Sequence, residues 1–482
     1  MSDRHTELTV YAGTHTIGGV VFSVTYGRDR VIMEMGAAYD PAKDVFDGVV
    51  EPRRINRFAD KLRLGSLPKI DGLFSRQDLA GCGDVVPYED SDWNTAVFIT
   101  HLHLDHMAHI GAVAPQIPVY MHRSAQCIER ALETTGEGVD TNGRAYTDLI
   151  PDEWISVGDI RVLPVLTGDT GYRDFAFMIR TPDGGLIHWT GDLTLHGECR
   201  ELTLRQLGLL ERERPDVLLC DCTSFMDSVL GLMYDTRDPR AVLPDPALPA
   251  GMLSTAAYYD ALFEKIAAVE GLCVFNYYQR EMDDADRFMR WAQRLGRRCC
   301  FEPDAAYIVY KFFGIQPFVY IPDSARYAAG HRAAWAEELF SRAVIVPLEE
   351  IRANPSGYLV QNSYRHIMEL FSLPARGGAY VHADGIPIGS FDPAYRKMRG
   401  LVDRAGFAYI TFFCENYFGH GYPCQVKDFV DRADPRVLIP CHSYNPERLL
   451  PNRGAQLIPE EGAAYILTPG KGLTKKQAEE DR

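Results

Sequence analysis

Short apolar runs separated by turn residues dominate the first 225 residues and predict β-strands. Several of these runs are continuous rather than alternating, which is typical of strands that are buried on both faces. A helical stretch that ends at Gly136 lies between two of them. This mixture predicts a layered α/β sandwich. The candidate strands are residues 8–13, 18–27, 30–36, 95–100, 117–122, 160–166, 175–181, 186–192 and 216–222.

The pattern changes near residue 226, where a proline-rich segment (238–251) has the composition of a linker. Helical and strand patterns then alternate, and this order predicts a Rossmann-like parallel sheet. After about residue 410 the chain returns to a strand, a helix and a final apolar strand. The candidate helices are 254–271, 281–296 and 426–434, and the candidate strands are 272–278, 298–303, 343–348, 379–384, 407–413 and 437–443.

The composition is that of a soluble globular protein, with 46% hydrophobic and 24% charged residues among 482. Fifty Lys and Arg against 66 Asp and Glu give a net charge of −16, which argues against a general affinity for polyanions. A basic groove confined to one place remains compatible with that charge. Eleven cysteines, several inside apolar runs, predict reduced thiols and a cytoplasmic location. We expect no signal peptide and no membrane-spanning helix.

The strongest chemical signal is the hexad His101-Leu102-His103-Leu104-Asp105-His106, which directly follows an apolar strand. In an extended segment, residues 101 and 103 point the same way, so both side chains can reach one metal ion. Asp105 and His106 lie at the following turn and can serve a second ion. Zn²⁺, Mn²⁺ or Fe²⁺ suit such mixed nitrogen and oxygen ligands.

Two distant polar residues occur in the context expected of further ligands. Asp192 follows Gly191 at the end of one apolar strand, and His442 ends another. Ligand sites of α/β proteins lie at the carboxyl ends of strands. We therefore expect Asp192 and His442 to complete the site that the hexad begins.

The hexad, Thr190-Gly191-Asp192 and Pro440-Cys441-His442 resemble the metal-binding motifs of the metallo-β-lactamase superfamily. The long insertion between the last two motifs resembles the β-CASP branch of nucleases, the group that contains ribonuclease J. Asp221-Cys222-Thr223 matches an acidic motif of that branch, and Phe418-Gly419-His420-Gly421 matches its Ser-Gly-His-Ala loop imperfectly.

The resemblance implies an α/β fold in which an αββα metallo-β-lactamase sandwich carries an inserted Rossmann-like β-CASP cap. Residues 1–225 would form the first segment of the sandwich, 226–410 the cap, and 411–482 the second segment with a C-terminal tail. The ligands at 101–106 and 442 must meet in one site, so the two ends of the chain are expected to fold together.

The resemblance also implies a two-metal centre, with Zn²⁺ as the expected ion and Mn²⁺ as the alternative. Water activated between the ions would attack phosphorus. His420 would donate to a phosphate oxygen, and Asp221 would orient ligands or substrate. Asp105 and Asp192 count as catalytic through the metal they hold. The implied ligands are His101 and His103 on the first ion, Asp105, His106 and His442 on the second, and Asp192 as the bridge.

Two departures from the family pattern affect this assignment. The family's third imidazole on the first ion falls here on Thr167 or Gly168, so we expect that site to be weakened. Asp169 is a candidate replacement ligand that would favour Mn²⁺ or Mg²⁺, and His15 is a second candidate. Glu34 stands where the family usually has an Asp that supports the hexad.

Three functions follow from these observations. The first is a metal-dependent phosphodiester hydrolase, a nuclease that acts on RNA or single-stranded DNA. The second is a metallo-hydrolase of a small ester, lactone or phosphoester with a degenerate first metal site. The third is a catalytically reduced binding or regulatory protein. A basic channel favours the first, a short closed pocket the second, and a metal-free site the third. The oligomeric state is open, and a homo-oligomer is compatible with the sequence.

Overall fold

The computed structural model describes residues 4–40, 43–46, 50–168, 173–225, 248, 251–413 and 416–477. Strands and helices of this part are numbered β1–β22 and α1–α12 in chain order. The predicted mixed α/β class is confirmed, with three sheets. None of the helices in these ranges is long and apolar enough to cross a membrane.

The first sheet joins the two ends of the chain. Its order is β22-β21-β1-β2-β3-β4-β5-β6, and β1 pairs antiparallel with both β2 and β21. The C-terminal hairpin therefore completes a sheet that the N-terminal strands begin. The strands are β1 (Thr6–Ala12), β2 (Val21–Tyr26), β3 (Asp29–Met33), β4 (Asn94–Phe98), β5 (Val119–Met121), β6 (Thr147–Asp148), β21 (Ala464–Thr468) and β22 (Gly472–Lys475).

The second sheet packs face to face on the first. Its order is β20-β19-β11-β10-β9-β8-β7, and the β11–β19 pair is parallel. Side chains such as Phe22 and Phe98 of the first sheet share one buried cluster with Phe177 and Trp189 of the second. The strands are β7 (Ile155–Val157), β8 (Ile160–Leu166), β9 (Phe175–Arg180), β10 (Leu186–Trp189), β11 (Val217–Asp221), β19 (Val437–Cys441) and β20 (Ala455–Gln456).

Helices cover the outer faces of this sandwich. Leu207 and Leu210 of α5 and Phe429 and Val430 of α12 pack on the outer face of the second sheet, while α1 and α4 pack outside the first. The helices up to residue 213 and the last one are α1 (Arg57–Leu64), α2 (Arg76–Leu79), α3 (Leu104–Met107), α4 (Arg123–Thr135), α5 (Arg200–Glu213) and α12 (Pro423–Ala433).

The third sheet is wholly parallel, as the alternating pattern predicts, with the order β15-β14-β13-β16-β12-β17-β18. Its identity as a β-CASP cap stays a prediction. The strands are β12 (Cys273–Asn276), β13 (Arg298–Phe301), β14 (Phe318–Val319), β15 (Val344–Ile345), β16 (Tyr358–Gln361), β17 (Ala379–His382) and β18 (Ala408–Ile410), and the helices are α6 (Thr255–Ala267), α7 (Met282–Arg294), α8 (Pro303–Phe313), α9 (Ala334–Arg342), α10 (Leu348–Ala353) and α11 (Pro393–Ala405).

Three strands of this sheet differ from the sequence expectation, and one of them, the two-residue strand β14 (318–319), has no counterpart among the candidate strands. The apolar run 343–348 contributes only Val344 and Ile345, at the sheet edge, where both side chains are exposed. The central strand β16 (358–361) has no counterpart among the candidate strands, because four residues after a Pro-Ser-Gly turn give too short a pattern. Its four residues are all buried between β13 and β12.

Candidate metal centre

Three strands of the sandwich deliver polar side chains to one point. The hexad follows β4, and α3 begins inside it, so that Asp105 lies in the first helical turn. Asp192 lies in the loop after β10, and His442 directly follows β19. The structure thus brings together residues that are 337 positions apart, as the strand-end pattern of the sequence indicates.

Four donor atoms lie at the separations of a tetrahedral ion site. His442 Nε2 lies 3.1 Å from Asp105 Oδ2, and His106 Nε2 lies 3.1 Å from Asp192 Oδ1. The cross distances are 3.8 Å from His106 Nε2 to Asp105 Oδ2 and 3.7 Å from His442 Nε2 to Asp192 Oδ1. Ligand bonds of about 2.0–2.2 Å in tetrahedral geometry place donors roughly 3.3–3.5 Å apart. These nitrogen–oxygen distances are close to that range, and the groups whose donor atoms can share one ion include Asp105, His106 and His442, and His101, His106 and Asp192.

Hydrogen bonds behind the histidines turn their Nε2 lone pairs towards this point. Thr100 Oγ1 donates to Glu34 Oε1 (2.6 Å), so that His101 Nδ1 donates to Thr100 Oγ1 (2.9 Å). His106 Nδ1 lies 3.4 Å from the same Glu34 oxygen. His101 Nε2, His106 Nε2 and Asp192 Oδ1 are buried without a hydrogen-bond partner. Buried polar atoms are rarely left in this state, and the donor atoms of these three residues lie close enough to share one metal ion.

The imidazole of His442 is oriented in the same way. Thr223 Oγ1 donates to Asp221 Oδ1 (2.5 Å) and lies 2.6 Å from His442 Nδ1, so the histidine donates and its Nε2 is free to bind a cation. The His442 backbone has a φ of +60° and donates its N–H to Gly13 O (2.9 Å). Such a left-handed conformation away from glycine is a strained feature typical of functional sites.

A glycine makes the position of Asp105 possible. A Cβ added at Gly36 would lie 1.6 Å from the Asp105 carbonyl oxygen. The hexad loop therefore packs directly on a backbone that carries no side chain, which is a physical reason for glycine there.

The electrostatics of the cluster call for a positive charge at its centre. Burial works against ionisation of Asp192, but the surrounding imidazoles, His106 foremost, hold its pKa well below the usual value. Burial likewise disfavours a charged His106, yet the carboxylates of Asp192 and Asp105 hold its pKa well above the ordinary value. The pKa of Asp105 is also lowered, because His106 and His442 outweigh its burial. A proton on His106 or a bound cation supplies the charge that these carboxylates require.

His420 and Asp221 form a pair on the open side of the cluster. His420 Nδ1 donates to Asp221 Oδ2 (2.8 Å), and the same oxygen accepts the Leu193 N–H (3.0 Å). His420 Nε2 lies 4.0 Å from Asp192 Oδ2, and the imidazole side chain is 21% exposed. His420 and Asp221 are thus brought together beside Asp192, and the His420 ring lines the cleft.

One sequence-predicted ligand points elsewhere. His103 Nε2 pairs with the carboxylate of Glu281, in the loop between β12 and α7. Burial favours a neutral His103, but Glu281 outweighs it and raises the His103 pKa to about 9. In the described part of the chain His103 is absent from every cluster whose donor atoms can share one ion.

The candidate replacement ligands for the first ion are Asp169 and His15. Asp169 lies outside the described residues. His15 is 57% exposed and lies 3.7 Å from Glu447 Oε2, so the structure does not bring it to the cluster. At Gly168 an added Cβ would lie 2.3 Å from the Cys199 carbonyl oxygen, and no imidazole fits there without a backbone shift.

Several residues of the site were not identified from the sequence. Arg280 and Glu281 follow the apolar strand β12, which is the same signal that identifies Asp192 and His442. Thr100 and Trp189 lie inside apolar runs and carry no signal of their own. Trp189 Nε1 donates to Glu34 Oε1 (2.9 Å) and so helps to hold the carboxylate that supports His106.

Replacing Glu34 with Gln is expected to lower zinc affinity about 10–100-fold, the usual cost of losing a partner that orients a ligand. The Glu34 carboxylate faces only donors, from Thr100, Trp189 and His106, and an amide group would place a further donor among them. Competition with a chromogenic chelator measures the effect.

Glu302→Gln is the matched control for this change. Glu302 is a buried carboxylate in the third-sheet unit that accepts hydrogen bonds from Tyr320, Asn362 and Ser363. We expect Glu302→Gln to lower thermal stability and to leave zinc affinity unchanged. Equal zinc affinity in the Glu34 variant and the wild type would contradict the role given to Glu34.

No protein-family model and no curated protein matches the chain. Among solved structures, it is similar to a protein of unknown function from Enterococcus faecalis V583, with a TM-score of 0.72 and 24% identity. That similarity covers 96% of this chain and 100% of the other, and it shows a shared fold.

Two further solved structures match part of the chain. The metallo-β-lactamase fold protein YhfI from Bacillus subtilis has 16% identity and a TM-score of 0.28, over 46% of this chain and 72% of its own. A Cronobacter sakazakii metallo-β-lactamase with a HARLDQ motif has 13% identity and a TM-score of 0.28, over 44% and 70%. Distant structural neighbours of less than half the chain are thus metallo-β-lactamase-fold proteins, and the ribonuclease J-like branch stays a prediction.

Proposed function

We propose that this protein is a metal-dependent hydrolase. The observation that carries the proposal is that the Nε2 atoms of His106 and His442 each lie 3.1–3.8 Å from a carboxylate oxygen of both Asp105 and Asp192. A divalent ion held there supplies Lewis acidity, which activates water for attack on an ester or phosphoester. Zn²⁺ suits this donor set, and Mn²⁺ is the alternative.

His420 and Asp221 supply the second part of the proposed chemistry. The carboxylate of Asp221 accepts the Nδ1 proton of His420 and fixes the orientation of the ring. The Nε2 atom then faces the side of Asp192 that lines the cleft. When both ring nitrogens are protonated, His420 in this position can donate a hydrogen bond from Nε2 to an oxygen on which charge develops during hydrolysis. This arrangement supports the phosphodiesterase prediction made from the sequence.

A cavity of about 1700 Å³ leads to this point. It lies between the sandwich and the third-sheet unit, and its lining includes Asp105, Asp192 and His420 on one side and Tyr259 and Asp384 on the other. The volume exceeds that of an ordinary small-ligand pocket. A substrate of several sugar or nucleotide units fits within it.

The charge of the cleft favours a different substrate from the one that the motifs suggest. Among the described lining residues, eleven are Asp or Glu and three are Lys or Arg. Two of those three cations are paired, Lys43 with Asp40 at 2.8 Å and Arg287 with Glu198 at 2.9 Å. Even a divalent ion at the centre offsets only part of this charge. A polyanion is repelled by such a lining, which supports the second candidate, a hydrolase of a small neutral or cationic ester, lactone or phosphoester.

A comparison of substrates separates the two candidates. Protein loaded with Zn²⁺ or Mn²⁺ is assayed on 5′-phosphorylated single-stranded RNA and DNA, on bis(p-nitrophenyl) phosphate, and on p-nitrophenyl acetate, with His442→Ala as the control. We expect hydrolysis of the small substrates above the control. Any cleavage of RNA should become faster as salt increases, because screening reduces the repulsion from the cleft.

The opposite salt dependence would identify a nuclease. Binding of RNA to a basic groove weakens with rising salt, since counterions are released on binding. RNA cleavage that exceeds the His442→Ala control and falls with salt would therefore contradict the small-substrate candidate. Hydrolysis of none of the four substrates above the control would contradict the proposed hydrolase, and would favour the binding or regulatory alternative.

A further inference from the structure

One histidine of the hexad, His103, does not face the donor atoms of the metal centre. His103 lies two residues from His101, and the two rings are 4.4 Å apart between centroids. The Nε2 atom of His103 nevertheless pairs with Glu281 Oε1 instead of facing the donor cluster. Glu281 belongs to the third-sheet unit, and its carboxylate is 15% exposed.

The loop that carries Glu281 is fixed on the hexad. Arg280 Nη1 donates to the Leu102 carbonyl oxygen (3.1 Å) and to Glu129 Oε2 (2.6 Å) in a pair that is almost fully buried. The Glu281 N–H donates to the Tyr278 carbonyl oxygen (2.8 Å), which closes the turn before α7. Glu281 makes no capping hydrogen bond to α7 through its side chain. The Glu281 carboxylate is therefore positioned over His103 by an anchor that is independent of the metal centre.

The rest of the first-ion site is sparse. In the described ranges, its donors are His101 Nε2 and Asp192 Oδ2, 3.5 Å apart, together with His106, which is shared with the group of Asp105 and His442. Gly168 is closed to any side chain by the Cys199 carbonyl oxygen. Zinc sites in proteins carry three or four protein ligands. Because His106 Nε2 can bind only one ion, an ion held with Asp105 and His442 leaves the first site with two donors.

We propose that the folded protein retains one metal ion, bound by Asp105, His106, Asp192 and His442, and that Glu281 is a positioning residue that keeps His103 from ligating a second ion. This inference rests on the metal centre of the proposed function. The number of metal ions bound per chain then depends on the third-sheet unit, because Glu281 belongs to that unit and not to the sandwich.

Titration of metal-stripped protein with Zn²⁺ and Co²⁺ tests the proposal. The wild type is expected to bind one equivalent, counted by elemental analysis after gel filtration. Glu281→Ala is expected to bind a second equivalent with an affinity raised at least about tenfold, the scale on which a ligand's partner affects metal binding. The double variant Glu281→Ala/His103→Ala should return to one equivalent.

Asp283→Ala is the matched control, because Asp283 lies in the first turn of the same helix and lines the same cleft. It removes one negative charge from the cavity and should leave the stoichiometry at one. The visible absorption of bound Co²⁺ gives a second measurement. The spectrum of the first equivalent should be the same in the wild type and Glu281→Ala, and only the latter should gain a second component.

Several outcomes would overturn the inference. Two equivalents of similar affinity in the wild type, with one lost in His103→Ala or in Asp169→Asn, would show that the first site fills. An unchanged stoichiometry in Glu281→Ala would show that Glu281 does not limit it. A protein that holds one ion but hydrolyses nothing contradicts the proposed function alone, whereas a protein that holds no ion contradicts both.

Discussion

Asp192→Asn is expected to release the metal ion and to lower kcat/KM about 10³-fold or more. Asp192 Oδ1 is buried without a hydrogen-bond partner and lies 3.1 Å from His106 Nε2, while its Oδ2 lies 3.5 Å from His101 Nε2. The amide keeps the size of the side chain but removes its charge. Lewis acidity contributes several kcal/mol to such reactions, and each 1.36 kcal/mol is tenfold in rate. Elemental analysis and kcat/KM on the best substrate measure the two effects.

Asp392→Asn provides the control for that variant. Asp392 is a buried residue of the cleft whose Oδ1 accepts the Ala394 N–H (2.7 Å) at the start of α11, and Asn is an equally good residue at a helix N-cap. We expect this control to keep the metal and the activity. If Asp192→Asn retained a full equivalent of zinc, the ligand assignment would be wrong.

Arg280→Met is expected to lower the free energy of unfolding by about 3–5 kcal/mol, the usual cost of leaving one charge of a buried pair without its partner. The side chains of Arg280 and Glu129 are 3% and 0% exposed, and the Arg280 guanidinium also holds the Leu102 carbonyl oxygen. Urea denaturation measures the loss. Arg280→Met/Glu129→Leu should recover a large part of it, because the isolated carboxylate is removed as well.

Arg205→Met is the surface control. Its pair with Asp152 has a similar distance, 2.7 Å, but the two side chains are 53% and 45% exposed. Water already solvates both charges, so we expect a loss of no more than about 1 kcal/mol. A loss in Arg280→Met as small as in this control would mean that the buried pair does not stabilise the junction between the hexad and the third-sheet unit.

The residues of the candidate metal centre were identified from local sequence patterns. The hexad, Asp192 and His442 each follow an apolar strand, and this position identified them as candidate ligands. Because β4 belongs to the first sheet and β10 and β19 to the second, their meeting at one point depends on the packing of the two sheets. Asp221 and His420 were found through motif resemblance, and the structure adds that the two side chains pair at 2.8 Å.

The sequence was less informative where the pattern was short or the contact distant. The strand β16 (358–361) is buried by neighbours on both sides, and four residues provide no period that distinguishes a strand from a turn. The run 343–348 is apolar enough for a full strand, yet it lies at a sheet edge and pairs over two residues only. In both cases the position within the sheet, rather than the local composition, decides the length of the strand.

The sequence by itself predicted the α/β class from local periodicity and the candidate metal ligands from polar residues at strand ends, and motif resemblance implied that the two chain ends fold together. Only the tertiary structure decided which side chain His103 contacts. Alternation along an extended segment places residues 101 and 103 on one side, but Glu281, 178 positions away, determines where the second ring is held. The acidic character of the cleft is likewise a property of the assembled fold, since its carboxylates come from loops and helix ends between Asp40 and Glu461.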